Sequence, residues 1–164
     1  MSDFEDESIR TRILDAIKER FSSISVGAGP DDYRYAYSKV TRSGLQNAPK
    51  GFNTAMTIYG GAEQKEHRTD PKRWVNMQII LEIFYLREKG KDPIKALEKL
   101  AQEAERRIME DETWGGLATY THILNVLPEV QGRFDNHSEV ALILNTKFAH
   151  HMNDPRRKVG RRHA

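Results

Sequence analysis

The chain has 164 residues, one ordinary domain on the scale of roughly 100–200 residues, and enough to bury a core without covalent staples. It has no cysteine, which excludes a disulfide scaffold, a thiol nucleophile, iron–sulfur ligation and a cysteine zinc site. Hydrophobic residues are 38% and charged residues 30%, and no apolar run approaches the roughly 20 residues of a membrane helix, so the sequence reads as a soluble chain with no membrane partner. The start, Met1 to Glu7, lacks the basic and apolar regions of a secretory signal, and the expectation is an intracellular protein. The net charge of +2 conceals an asymmetry: Asp3, Glu5, Asp6 and Glu7 open the chain, whereas Arg156, Arg157, Lys158, Arg161 and Arg162 close it.

In chain order, Ile9, Ile13, Leu14, Ile17 and Phe21 recur at the spacing of one helical face, and Ser2 with Glu5 fits a capping box ahead of them. Ser22, Ser23 and Gly27-Ala28-Gly29-Pro30 end that helix. Tyr33, Tyr35 and Tyr37 fall on one side of an extended stretch, a strand or a loop leading into a strand near Val40. Ser43 to Asn53 reads as an irregular connection, Thr54 to Tyr59 as a short strand stopped by Gly60-Gly61, and Ala62 to Lys72 as a polar loop or extended hairpin tip.

Arg73 to Arg87 is the clearest strand. Val75, Met77, Ile79, Leu81, Ile83 and Tyr85 make an unbroken apolar face. The even positions, Trp74 to Phe84, are mixed, which implies a face that is partly solvated or meets a partner. Asp92-Pro93 then opens a second helix whose buried face is Ile94, Leu97, Leu100, Ala101, Ala104 and Ile108, with Gly115-Gly116 beyond its end. Leu117 to Val130 reads as a strand, with Pro128 marking either an edge or a strand end. Asp135 to Ser138 turns the chain into a last strand lined by Val140, Leu142, Leu144, Thr146 and Phe148, which Asn153-Asp154-Pro155 breaks. The pattern is α+β: a mostly antiparallel sheet of about four to five strands with two main helices packed on it. Residues 1–155 form the single domain, and 156–164 are read as a basic, disordered tail.

Chemistry-bearing constellations are scarce. The six histidines make no HExxH pair, and His150 and His151, adjacent in a strand, point to opposite faces. There is no GxSxG elbow and no P-loop. Glu110, Asp111 and Glu112 sit at a helix C-terminus, where clustered negative charge is disfavoured, and read as a solvated end. No catalytic, metal or cofactor-binding residue is assigned. Tyr33, Tyr35 and Tyr37, with Arg34 and Lys39, fit either a base-stacking platform or packing against a neighbour, the latter favoured. Trp114 fits either a core plug beneath the helix-to-strand turn or an anchor at a subunit interface.

The segment Asp111-Glu112-Thr113-Trp114-Gly115-Gly116-Leu117-Ala118, leading from a helix into a strand, with a closing strand that ends near Asn-Asp-Pro, resembles the tail terminator proteins of long-tailed bacteriophages. The opening helix, the segment Met56 to Glu63 and the long strand from Trp74 follow that family's order of elements, so the resemblance covers about residues 5 to 155. Two departures stand out: the family more often has a smaller apolar residue at the Trp114 position, and the basic extension past Pro155 does not map onto it.

The resemblance implies a virion assembly protein rather than an enzyme. Its members form a ring, commonly a hexamer, on the head-proximal end of the tail tube, stopping polymerisation and offering a surface to the head. The implied partners are further copies of the chain, the tail tube protein, head–tail connector proteins and genomic DNA in the lumen. Loop length and charge single out Arg42, Lys50, Lys65, Arg68 and Lys72 as tube or neighbour contacts, and Trp114, Arg156 and Arg157 join them as interface candidates. Competing readings are another head–tail connector ring or a small nucleic-acid-binding module using the basic tail.

Overall fold

The computed structural model describes residues 7–45, 53–66, 71–151 and 153–159. They form an α+β domain of two helices and a six-stranded sheet: α1 (Ile9–Ser22), β1 (Lys39–Thr41), β2 (Thr54–Glu66), β3 (Lys72–Leu86), α2 (Pro93–Met109), β4 (Tyr120–Glu129), β5 (His137–His151) and β6 (Asp154–Lys158). The strands lie in the order β1-β2-β3-β5-β4, with β6 also on β5. All pairings are antiparallel except the short parallel pairing of β1 with β2.

One face of the sheet carries the core. The odd positions of β3 from Val75 to Tyr85 are all buried, and opposite them stand Phe148, Thr146, Leu144, Leu142, Val140 and Ser138 of β5. The buried stripe of α1 (Ile9, Ile13, Leu14, Ile17, Phe21) and that of α2 (Leu97, Leu100, Ala101, Ala104, Ile108) join the same cluster. Both helices therefore shield one face. On the other, Phe84 is buried beneath Phe134 and Arg133 at one end, while Trp74, Asn76, Ile80, Ile143, Asn145 and Lys147 are only half-buried.

Local chemistry fixes the ends. Ser8 caps α1 by accepting the Thr11 N–H; Ser2 and Glu5 of the expected capping box lie outside the described residues. Asp92 caps α2 at the Ile94 N–H, and Pro93 needs no donor at the first turn. Ile94, expected in the buried face, is 53% exposed; the buried face of α2 starts instead at Ala96 and Leu97.

Several boundaries differ from the sequence expectations. The sheet has six strands where four to five are expected. β2 does not stop at Gly60-Gly61; the register shifts there and the strand runs on to Glu66, so of the two readings for Ala62 to Lys72 the described part follows the extended hairpin. Leu117 to Thr119 belongs to the turn before β4. Of the two readings open for Tyr33 to Tyr37, the loop leading into a strand at Val40 is the one found: it lies on the core, with Tyr37 edge-on to Phe21 and Tyr35 edge-on to Tyr85. The buried Glu103 of α2 holds that loop by accepting the Arg34 and Tyr35 N–H groups. Finally, Pro155 does not end the sheet: the chain turns back as β6, which takes in Arg156, Arg157 and Lys158 of the expected tail and sets Lys158 opposite His150.

Candidate functional site

The turn after α2 is built around a single carboxylate. Asp111 accepts hydrogen bonds from the Thr113 N–H (2.9 Å), the Thr113 hydroxyl (2.6 Å) and the Gly115 N–H (2.8 Å). The Thr113 hydroxyl bond is the largest influence holding this carboxyl below the usual aspartate range, with the Gly115 N–H next. Asp111 of the acidic triplet is thus a structural knot rather than part of a solvated helix end, while Glu110 pairs with Arg107 at 2.8 Å. The knot permits Trp114 at φ 52° and Gly115 and Gly116 at φ 72° and 84°.

Trp114 itself is 2% exposed. Its indole N–H donates to Thr121 Oγ (2.7 Å), and the Arg20 guanidinium lies 3.8 Å from its ring centroid. The Thr121 hydroxyl donates to the Glu112 carbonyl (2.8 Å), so at 3.1 Å the Thr146 hydroxyl must be the donor to Thr121. Arg20 also donates to the Asp111 carbonyl (2.7 Å), and Arg107 donates back to the Arg20 carbonyl, which ties the ends of both helices. Of the two roles open for Trp114, this geometry is that of the core plug, with no ring surface left for a subunit contact.

The remaining interface candidates divide between two places. Arg42 follows β1 and is paired with Asp15 of α1 at 3.0 Å. Lys65, Lys72, Arg156 and Arg157 meet instead at one end of the sheet, where Glu66 opposes Trp74, Lys72 opposes His151 and Lys158 opposes His150. There the Lys65 ammonium is 3.9 Å from Glu63 and 3.5 Å from His150 Nε2. His150 Nδ1 faces the His151 carbonyl at 2.7 Å, which can only accept; the ring proton therefore sits on Nδ1, leaving Nε2 as acceptor for Lys65. Arg156 grips Asp154 through both carboxylate oxygens (2.9 and 3.1 Å) and holds that carboxyl down to about 2. Arg157 is exposed. Lys50 and Arg68 lie outside the described residues.

Sequence reasoning missed the companions of these cations. Trp74 and Lys147 stand on the open face, with the Lys147 ammonium 5.2 Å from the Trp74 ring centroid and 3.6 Å from Glu66. Tyr120 and His122 stack on each other beside them at 4.3 Å. The mixed even face of the long strand was the available signal, but the cross-strand neighbours depend on register. Among the described residues, no group of three or more His, Asp or Glu side chains converges as a metal site, and no helix is long and apolar enough to cross a membrane.

No protein-family model and no curated protein matches this chain.

Proposed function

We propose that this protein is a tail terminator: a virion assembly protein that closes into a ring on the head-proximal end of a phage tail tube, stops its growth and docks the head. The supporting observation is that its single sheet ends in two unlike edges. One is β1, three residues long and flanked by the Arg42–Asp15 pair. The other is β4, ten residues long, whose Leu124 and Leu127 are 56% and 53% exposed. Unlike edges favour head-to-tail contact between copies, and such contacts generate closed rings when the rotation per subunit closes. A ring also covers edges that would otherwise pair without control.

Termination further needs one surface complementary to the tube and another that does not repeat it. The helix-covered face and the open face of the sheet supply that asymmetry, and the basic end around Lys65 and Lys72 is the surface assigned to the tube. The reading also rests on the resemblance of the Asp111–Ala118 segment to the tail terminators. Electron microscopy of particles assembled without this chain tests the proposal. The expected result is abnormally long tails without heads. Tails of normal length joined to heads would overturn it, and normal tails on heads that lose DNA would move the chain to another connector ring.

A further inference from the structure

β4 and β6 both lie on the same edge of β5 but do not meet. The β4 register begins at Tyr120 opposite Lys147, and that of β6 ends at Lys158 opposite His150, leaving Phe148 and Ala149 between them. The result is a cleft of about 600 Å³, within the size range of small-ligand sites. Ala149 and Trp74, directly opposite each other, form its floor and wall; the turn at Gly116 and Leu117 closes one side, and Lys72 and Lys158 flank it. A Cβ on Gly116 would already lie 3.4 Å from the Lys158 ammonium, so the lysine reaches across the mouth close to bare backbone.

We propose that this cleft and the adjoining open sheet face bind single-stranded nucleic acid, with a base on Trp74 and the flanking phosphates on Lys72 and Lys158. Three features support a nucleic-acid strand over an acidic peptide. First, the cleft joins a half-buried indole to two lysines, and no acidic side chain is among its lining residues. Second, the aromatic surface continues: Tyr120 and His122 stand on the same face as Trp74, since their partners Lys147 and Asn145 share the alternation of Ala149. An open antiparallel face bearing aromatic rings is a surface on which successive unpaired bases stack. Third, Glu66, opposite Trp74, is already paired with Lys147, so its charge is largely offset where phosphates would pass. Duplex DNA is disfavoured because its bases are enclosed and cannot reach Trp74. The site lies within one subunit and does not depend on ring formation.

Fluorescence anisotropy of a labelled oligothymidylate of about ten nucleotides, with the intact chain, tests the proposal. Saturable binding that weakens with added salt is expected. Trp74→Ala should weaken it about tenfold or more, and Trp74→Tyr, which keeps a stacking ring, should restore most of the loss. The double variant Lys72→Glu with Lys158→Glu should weaken binding further and flatten its salt dependence, whereas Arg42→Glu, on the β1 edge, should leave it unchanged. Absence of binding at low salt would overturn the proposal, as would variants equal to the parent. Equal affinity for duplex DNA, polyglutamate or thymidine monophosphate would also overturn it, assigning the cleft to general charge or to a free nucleotide.

Discussion

Trp114 occupies a left-handed backbone conformation that large side chains rarely adopt, and its surroundings hold it there: Thr121 below, Arg20 across the ring and the Asp111 knot around the turn. Trp114→Ala should destabilise the fold by about 3–5 kcal/mol, the cost of emptying a large core site, measured by urea unfolding. A loss below about 1 kcal/mol would contradict the plug. Asp111→Asn keeps the shape but removes the charge, and should cost about 1–2 kcal/mol at neutral pH for hydrogen bonds at a half-exposed site. The pH dependence has a definite sign. A carboxyl held below its ordinary range contributes stability above that range and loses it as pH falls through the folded value, so parent and variant should converge below about pH 4. Trp114 fluorescence on the same turn reports the change. The sequence showed that a tryptophan sat at this junction, but which side chains would meet it could not be read, since Arg20 and Thr121 arrive from a helix and a strand elsewhere in the chain.

β3 was legible because its alternation is unbroken over six buried positions, and α1 and α2 because their apolar residues follow the helical period. β2 was cut short because two adjacent glycines read as a stop. Here they serve close approach: a Cβ on Gly60 would lie 2.5 Å from Arg10 Nη2 and 2.9 Å from Leu14 Cδ1, so the glycine lets α1 settle on the strand. The bulge beside it points the Gly61 carbonyl to Arg10 at 2.9 Å, and Glu63 joins that arginine at 3.2 Å. Gly60→Val should therefore lower stability by about 1–3 kcal/mol through overpacking, seen as a lower urea midpoint; an unchanged midpoint would mean that α1 does not rest there. β6 was hidden for a related reason. Its Asp-Pro start and its arginines carry the composition of a tail, whereas pairing with β5 and the Arg156–Asp154 grip supply what its sequence lacks.

Across the whole molecule, the sheet sorts its surfaces by chemistry. Helices cover one face, acidic Glu82 and Glu139 meet Arg133 toward one end of the other, and Lys72 and Lys147 stand toward its opposite end, where Lys65 and Lys158, opposite Val75 and His150, add charge at the sheet's margin. The candidate site was legible only as scattered cations; register brought some of them together and left Arg42 on a different edge. Such polarity suits a molecule that meets different partners on different sides, and contact between the β1 and β4 edges of successive copies would repeat it around a ring. The proposed role of the chain is to block growth by occupying one end of a tube. Purified, labelled protein added to isolated tail tubes and viewed by electron microscopy tests this directly. Label is expected at a single end of each tube, in ring-shaped density, with no further elongation when tube subunits are supplied. Label spread along the tubes, or continued growth from the decorated end, would contradict it.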